Sequence, residues 1–198
     1  MEFYESFMKF SFADDDVFRI EDDPLVENIK GIESCECIVL LNPNVALIEA
    51  KSSSPQPKLE NQERFKEFID DIKKKFSDSL RLFNEIKAKK RGEEAYLRLP
   101  VNLLGITISP DQYLIILIIH GHKLEWLIGL IDALRDSLRE VVNQWNIKDS
   151  NIKVFNEEEA LKHQLIVAYV PKQDRDALRD PDGNMNMELA KQWFDIHS

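Results

Sequence analysis

Two periodicities of apolar residues alternate along the chain and predict a mixed α/β fold. Stretches with apolar residues at every second position, and short runs apolar throughout, are typical of strands. The predicted strands cover residues 17–21, 34–41, 45–52, 113–119, 152–155 and 165–170. The run at 113–119, Y-L-I-I-L-I-I, is apolar at every position, which is typical of a central strand covered on both faces. The N-P-N segment at 42–44 predicts that the second and third strands form a hairpin.

Apolar residues at three- and four-residue spacing predict the helices. These helices cover residues 2–10, 59–91, 124–145, 156–163 and 185–196. The helix at 59–91 has the strongest pattern, a stripe of phenylalanine and isoleucine between the S-S-S-P-Q-P loop at 52–57 and Gly92. Lysines 73–75 are placed opposite this stripe, and we expect them at the surface.

The order of elements predicts one domain over residues 1–198, an α/β fold with a mixed sheet flanked by helices. Apolar residues make up 43% and charged residues 31%, as in ordinary globular proteins. Cys35 and Cys37, two positions apart on a predicted strand, cannot easily form a disulfide, so a reducing cytoplasm is the expected location. No apolar run approaches the length of a membrane span, and no membrane association is expected.

Charge is distributed unevenly along the chain. The net charge is −10, with 12 acidic and 3 basic residues in 1–50, against 9 acidic and 13 basic residues in 51–100. An acidic chain repels a polyanion at long range, so tight DNA binding would require a focused basic face or a basic partner.

The stretch V-A-L-I-E-A-K-S-S-S at 45–54 carries the first candidate chemistry. On a strand, alternate residues share a face, so Glu49 and Lys51 are neighbours. The hairpin allows two registers: if residue 42 pairs with 45, Glu36 lies opposite Lys51, and if 41 pairs with 44, Glu36 lies opposite Glu49. Both registers place Glu36, Glu49 and Lys51 on one face.

Two carboxylates this close on an apolar sheet repel each other, and one would be forced to protonate unless a cation lies between them. Mg²⁺ suits the position because it accepts one or two protein carboxylates and keeps several waters. A neighbouring lysine could stabilise charge at a phosphate or position the attacking water.

This arrangement resembles the PD-(D/E)XK nuclease superfamily, which has the restriction-endonuclease-like fold. The features that carry the resemblance are an acidic residue at 36, then E-A-K at 49–51 on the next strand, a long helix and a buried strand. The resemblance implies a helix, a three-stranded meander, a helix and a further strand within a nuclease-like core of about residues 1–120. Residues of about 121–198 would then form a C-terminal extension with additional α/β elements.

The resemblance also implies roles for individual residues. Glu36, Glu49 and the backbone carbonyl of Ala50 would hold Mg²⁺ or Mn²⁺, and Lys51 would act in catalysis. Some branches of the superfamily add a glutamate from the first helix and a glutamine from the helix after E-x-K. The candidates for these two positions are Glu5, or in its place Glu21, and Gln62. Basic residues near the end of the long helix either contact substrate phosphates or complement the helix dipole: Lys87, Lys89, Lys90 and Arg91.

The implied function is a metal-dependent nuclease that hydrolyses DNA, in a bacterial or phage defence or restriction system. Cleavage of both strands by so small a protein would favour a homodimer. The chain departs from the pattern in lacking a Pro-Asp dipeptide and in having glutamate at position 36 where aspartate is usual. The alternative function is therefore a catalytically inactive binding or scaffolding subunit of a larger complex that keeps the fold.

Overall fold

The computed structural model describes residues 1–56 and 61–197. Its strands are β1 (Glu2–Glu5), β2 (Met8–Ser11), β3 (Val17–Phe18), β4 (Cys37–Leu41), β5 (Asn44–Lys51), β6 (Tyr113–Ile119), β7 (Ile152–Asn156) and β8 (Ala168–Tyr169). Its helices are α1 (Pro24–Asn28), α2 (Gln62–Lys87), α3 (Glu93–Leu97), α4 (Val101–Gly105), α5 (Leu124–Trp145), α6 (Glu157–Lys162) and α7 (Met187–His197). Short 3-10 helices lie at Ile20–Asp22, Pro110–Gln112, Asp149–Asn151 and Arg175–Leu178.

A mixed five-stranded sheet forms the centre of the fold, with the strand order β3-β4-β5-β6-β7. The first three strands form an antiparallel meander, and β6 and β7 then continue parallel to β5. Parallel neighbours need a crossover connection, and the long helices α2 and α5 supply it between β5 and β6 and between β6 and β7. The predicted mixed α/β class is therefore confirmed.

The two faces of this sheet are covered by different layers, as the alternation of β5 requires. Val45 and Leu47 point into the larger core, which the apolar stripes of α2 and α5 complete. Ala46, Ile48 and Ala50 point the other way, against a second sheet of three strands in the order β1-β2-β8. Strand β6 is buried on both faces, as its unbroken apolar sequence predicts.

The prediction of a helix at residues 2–10 is wrong, because this segment forms the β1–β2 hairpin. Phe3 and Phe10 are cross-strand partners whose rings stack at 4.8 Å, a pairing that a strand provides and a single helix does not. Ser6 and Phe7 form the turn with positive φ angles of 51° and 63°. Such angles are disfavoured for residues with a Cβ atom, and turns that need them usually contain glycine or asparagine. Ser6 and Phe7 therefore give no turn signal in the sequence.

Other element bounds differ more modestly from the predictions. The strand predicted at 17–21 stops at Phe18, and the one predicted at 165–170 is reduced to Ala168–Tyr169. The long helix ends at Lys87 rather than at residue 91. Its predicted start at residue 59 lies outside the described residues. Helices α1, α3 and α4, of five residues each, were not predicted, since segments this short carry little periodic signal.

The C-terminal part of the chain joins both sheets. Strand β7 pairs with β6 in the central sheet, and β8 pairs with β2 in the smaller one. Helix α7 contributes Phe194, which is fully buried and stacks on Tyr4 at 5.2 Å. Among the described residues, no helix is long and apolar enough to cross a membrane.

Candidate active site

Glu36 and Glu49 come together in the central sheet, where the start of β4 lies beside the end of β5. The hairpin has the register in which Leu41 pairs with Asn44, and its last pair is Cys37 with Ile48. Glu36 immediately precedes β4, so the next step of this register places it beside Glu49. Both side chains are buried, with 4% of Glu36 and 0% of Glu49 exposed. Two acidic groups therefore lie side by side where the antiparallel pairing of β4 and β5 ends.

Two lysines lie against Glu49 from different layers of the fold. The Nζ atom of Lys51, from the same strand, is 2.7 Å from Oε1 of Glu49. The Nζ atom of Lys75, from α2, is 2.9 Å from that same oxygen. Both contacts are ion pairs by distance, without hydrogen-bond alignment. Oε2 of Glu49 has no hydrogen-bond partner in the described part of the chain, so one oxygen of a fully buried carboxylate is left over.

Glu5 and Glu21 complete an acidic cluster around Glu36. One carboxylate oxygen from each of these three residues lies within 4.8 Å of the other two. Glu5 comes from the end of β1, and Glu21 from the short 3-10 helix after β3. The sequence left these two glutamates as alternatives for one position, and the structure brings both to it. Oε2 of Glu36 is buried without a hydrogen-bond partner among the described residues.

The crowding of carboxylates changes their acidity. Burial, and then the negative charges of Glu49 and Glu5, raise the pKa of Glu36 to about 10. Burial and the charge of Glu21 raise the pKa of Glu5. Burial also raises the pKa of Glu49, although the charges of Lys51 and Lys75 oppose that shift. Without an added cation, Glu36 therefore holds a proton at neutral pH.

The turn of the β1–β2 hairpin reaches into this site. The Ser6 hydroxyl donates a hydrogen bond to the Ala50 carbonyl at 3.2 Å and lies 3.1 Å from Oε1 of Glu5. The pairing of β4 with β5 ends at Ile48, so this carbonyl lies beyond the last β4 partner. The backbone oxygen predicted as a metal ligand thus lies next to the acidic cluster, with a hydroxyl as its present partner.

A cleft of about 360 Å³ opens beside these groups. One side is formed by the hairpin turn and the end of β5, and the other by the loop that leads into α7. The lining residues are Glu5, Ser6, Phe7, Ala50, Lys51, Ser52, Gly183, Asn184, Met185 and Met187. The C-terminal part of the chain therefore contributes one wall of the cleft that contains Lys51.

The remaining predicted site residues lie elsewhere. Gln62, the first residue of α2, is exposed and lies 13 residues from Lys75, which is about 20 Å along a helix. Lys87 is about 18 Å from Lys75 in the other direction. Its ammonium group donates to the carbonyls of Leu103 and Ile106, the latter at 2.8 Å. The structure therefore brings neither Gln62 nor Lys87 to the acidic cluster.

Two of the three other basic residues near the end of α2, Lys89 and Arg91, are occupied by local contacts. Lys89 is paired with Glu93 at 2.9 Å, and the Nη2 atom of Arg91 is 2.6 Å from a carboxylate oxygen of Glu85. Lys90 lies between them, just beyond the end of α2. Their position and their ion pairs both favour the interpretation that these residues complement the helix dipole rather than bind phosphate.

Lys75 is the site residue that the sequence interpretation missed, because it was assigned to the surface. It lies three residues after the buried Ile72 and four before the buried Ser79, at the margin of the buried stripe. That spacing was a usable signal. Burial alone would lower the pKa of Lys75, but the charges of Glu49 and Glu36 raise it well above its usual value.

The site consists of two buried glutamates and two lysines at the end of β5, with the Ala50 carbonyl joined to the adjoining Glu5 through the Ser6 hydroxyl. Such oxygen-rich sites are suited to hard divalent cations. No protein-family model matches the chain, and no curated protein or solved structure shows significant similarity to it.

Proposed function

We propose that this protein is a divalent-metal-dependent nuclease with a restriction-endonuclease-like fold, acting on DNA. The observation that carries the proposal is the juxtaposition of Glu36 and Glu49 at the end of β5, with Lys51 2.7 Å from Glu49. Structural ion pairs rarely leave buried carboxylate oxygens without partners, because each such oxygen costs desolvation free energy. A ligand that supplies positive charge would remove that cost.

The donor set fits Mg²⁺ or Mn²⁺. Glu36 and Glu49 each have a buried oxygen without a hydrogen-bond partner among the described residues, and the Ser6 hydroxyl links the Ala50 carbonyl to the neighbouring Glu5. These three groups would hold the ion, with Glu5 or Glu21 as a further carboxylate. When bound, such an ion lowers the pKa of its water and stabilises negative charge on a phosphoryl group.

Lys51 is the group of this chain best placed to act on a phosphate. It lines the cleft, and its ammonium group is held at the acidic cluster by Glu49. A positive charge next to the reacting phosphorus stabilises the charge that develops there as water adds and the P–O bond breaks. Before substrate binds, Glu49 keeps this ammonium group beside the cleft, and the hairpin turn forms one wall of that cleft.

The strand order supports the restriction-endonuclease-like assignment. The resemblance implies a three-stranded meander, a helix and a further strand, and β3-β4-β5, α2 and β6 follow that order. The first helix that the resemblance implies has no counterpart at residues 2–10, where the β1–β2 hairpin supplies Glu5 instead. A role in defence or restriction, and a homodimer that cuts both strands, belong to this same proposal.

The direct test is cleavage of supercoiled plasmid in Mg²⁺ or Mn²⁺ by the wild type and by Lys51→Ala. We expect the variant to lose at least about 100-fold in rate, the scale of removing one group that stabilises a transition state. Lys66→Ala is the matched control, since Lys66 is an exposed lysine that pairs with Asp70 on α2, away from Glu49. Equal nicking by the wild type and Lys51→Ala would refute the mechanism.

A binding or scaffolding subunit without catalysis is the second candidate. It is favoured by the net charge of −10 and by the intrachain contacts that occupy Lys87, Lys89 and Arg91. Calorimetric titration with Mn²⁺ separates the two candidates. Binding that is lost in Glu36→Gln and Glu49→Gln supports the nuclease, and no such binding supports the scaffold.

A further inference from the structure

Two ammonium groups share one carboxylate oxygen at the centre of the site. Lys51 and Lys75 lie 2.7 and 2.9 Å from Oε1 of Glu49, so two positive charges meet one negative charge. Either lysine alone can keep the buried carboxylate paired. One of the two is therefore free to contact another anion without leaving Glu49 alone in the interior, where an unpaired charge is costly.

The surroundings indicate which lysine is free. The Lys51 side chain is 28% exposed and lines the cleft, together with Ala50 and Ser52. Only 18% of the Lys75 side chain is exposed, and Lys75 does not line that cleft. The backbone is also held differently at the two lysines. Lys51 is the last residue of β5, whereas Lys75 lies in the middle of the 26-residue helix α2.

We propose that Lys75 is a positioning residue that stays on Glu49 throughout turnover, so that Lys51 can move from Glu49 to a phosphate oxygen of the substrate. This division of roles deepens the nuclease proposal and rests on it. Lys75 itself touches neither substrate nor the reacting atoms. In its absence Lys51 would become the sole partner of Glu49 and would be held away from the phosphate.

A double-mutant cycle in unfolding tests the shared oxygen without any assay of activity. Lys51→Met, Lys75→Met and the double variant of the full chain are compared by urea unfolding in EDTA. Each single variant keeps one lysine on Glu49, so we expect a small decrease in the midpoint, and the double variant should lose more than the sum. Adding Glu49→Gln to the double variant should recover most of that loss. Additive effects would overturn the proposal.

Kinetics on supercoiled plasmid with Mn²⁺ then test the division of roles. Lys75→Met should lower kcat by about 10- to 100-fold with KM nearly unchanged, as expected when a reacting group is held in the wrong place. Lys75→Arg should restore most of the rate because it restores a fixed cation, whereas Lys51→Arg should remain impaired. Lys73→Met is the control from the same helix and should behave as the wild type.

The outcomes separate the two proposals. If the wild type cleaves and Lys75→Met keeps its kcat, or if Lys75→Arg is as impaired as Lys75→Met, the positioning role is refuted and the nuclease proposal stands. If the wild type does not cleave plasmid under any of these conditions, the nuclease proposal fails and the positioning role fails with it. The unfolding cycle still decides in that case whether the two lysines share Glu49.

Discussion

Replacement of Glu36 by glutamine should stabilise the metal-free protein while removing a ligand of the proposed metal site. In the folded chain burial and neighbouring carboxylates raise the pKa of Glu36 from 4.5 to about 10. An acid whose pKa is higher in the folded state takes up a proton on folding, so its stability contribution is complete below pH 4.5 and is lost as pH rises toward 10. Glutamine has nearly the same shape and requires no proton.

The size of this effect follows from the unfolded pKa and the working pH. At pH 7.5 a carboxyl with an unfolded pKa of 4.5 must be protonated three pH units above that value, which costs about 4 kcal/mol. This is the upper limit of the gain for Glu36→Gln. With a slope of about 2 kcal/mol per molar urea, the unfolding midpoint should rise by up to about 2 M.

The assay is urea unfolding in EDTA at pH 4.5, 6.0 and 7.5, with the gain shrinking toward zero at the lowest pH. If the proposed site binds Mn²⁺, the ion should raise the midpoint of the wild type but not of the variant. Glu33→Gln is the matched control: Glu33 is partly exposed and paired with Lys74 at 3.1 Å, so its loss should be slightly destabilising. A Glu36→Gln variant no more stable than wild type at pH 7.5, or a gain independent of pH, would refute the reasoning.

Two further predictions concern the residues that follow β6. Burial, and then the charge of Arg175, lower the pKa of His120 from 6.5 to about 4, so stability should fall by up to about 3 kcal/mol as pH decreases from 6.5 to 4. In urea unfolding, His120→Phe should remove this part of the acid sensitivity, and an unchanged pH dependence would contradict the assignment. Gly121→Ala should lower stability by about 1 to 2 kcal/mol through its φ of 77°, and further through a Cβ atom only 2.9 Å from Nη2 of Arg175. Gly31→Ala isolates the backbone cost, because Gly31 has a φ of 80° and no atom of the described residues lies within 4 Å of its Cβ position. Equal losses in thermal melting would show that the contact with Arg175 adds nothing.

Much of the central sheet could be predicted from the sequence because its signals are local. Alternation along 45–52 and a tight turn at 42–44 limit the hairpin to two registers, and both put Glu36 beside the E-A-K segment. The seven apolar residues of β6 likewise require cover on both faces. The N-terminal hairpin was mispredicted because Phe3, Phe7 and Phe10 have helical spacing, while the alternative, Phe3 stacked on Phe10, appears only when two strands pair.

The sequence by itself determined that Glu36, Glu49 and Lys51 share one face, since strand alternation and hairpin register depend on neighbouring residues alone. Only the tertiary structure decided that Lys75 reaches Glu49, because which face of α2 lies on which strand depends on the packing of whole layers. It also brought Glu5 to the site from a sheet on the other face of β5. Side chains that converge from separate layers leave no periodic trace in the chain, and here they supply Lys75 and Glu5.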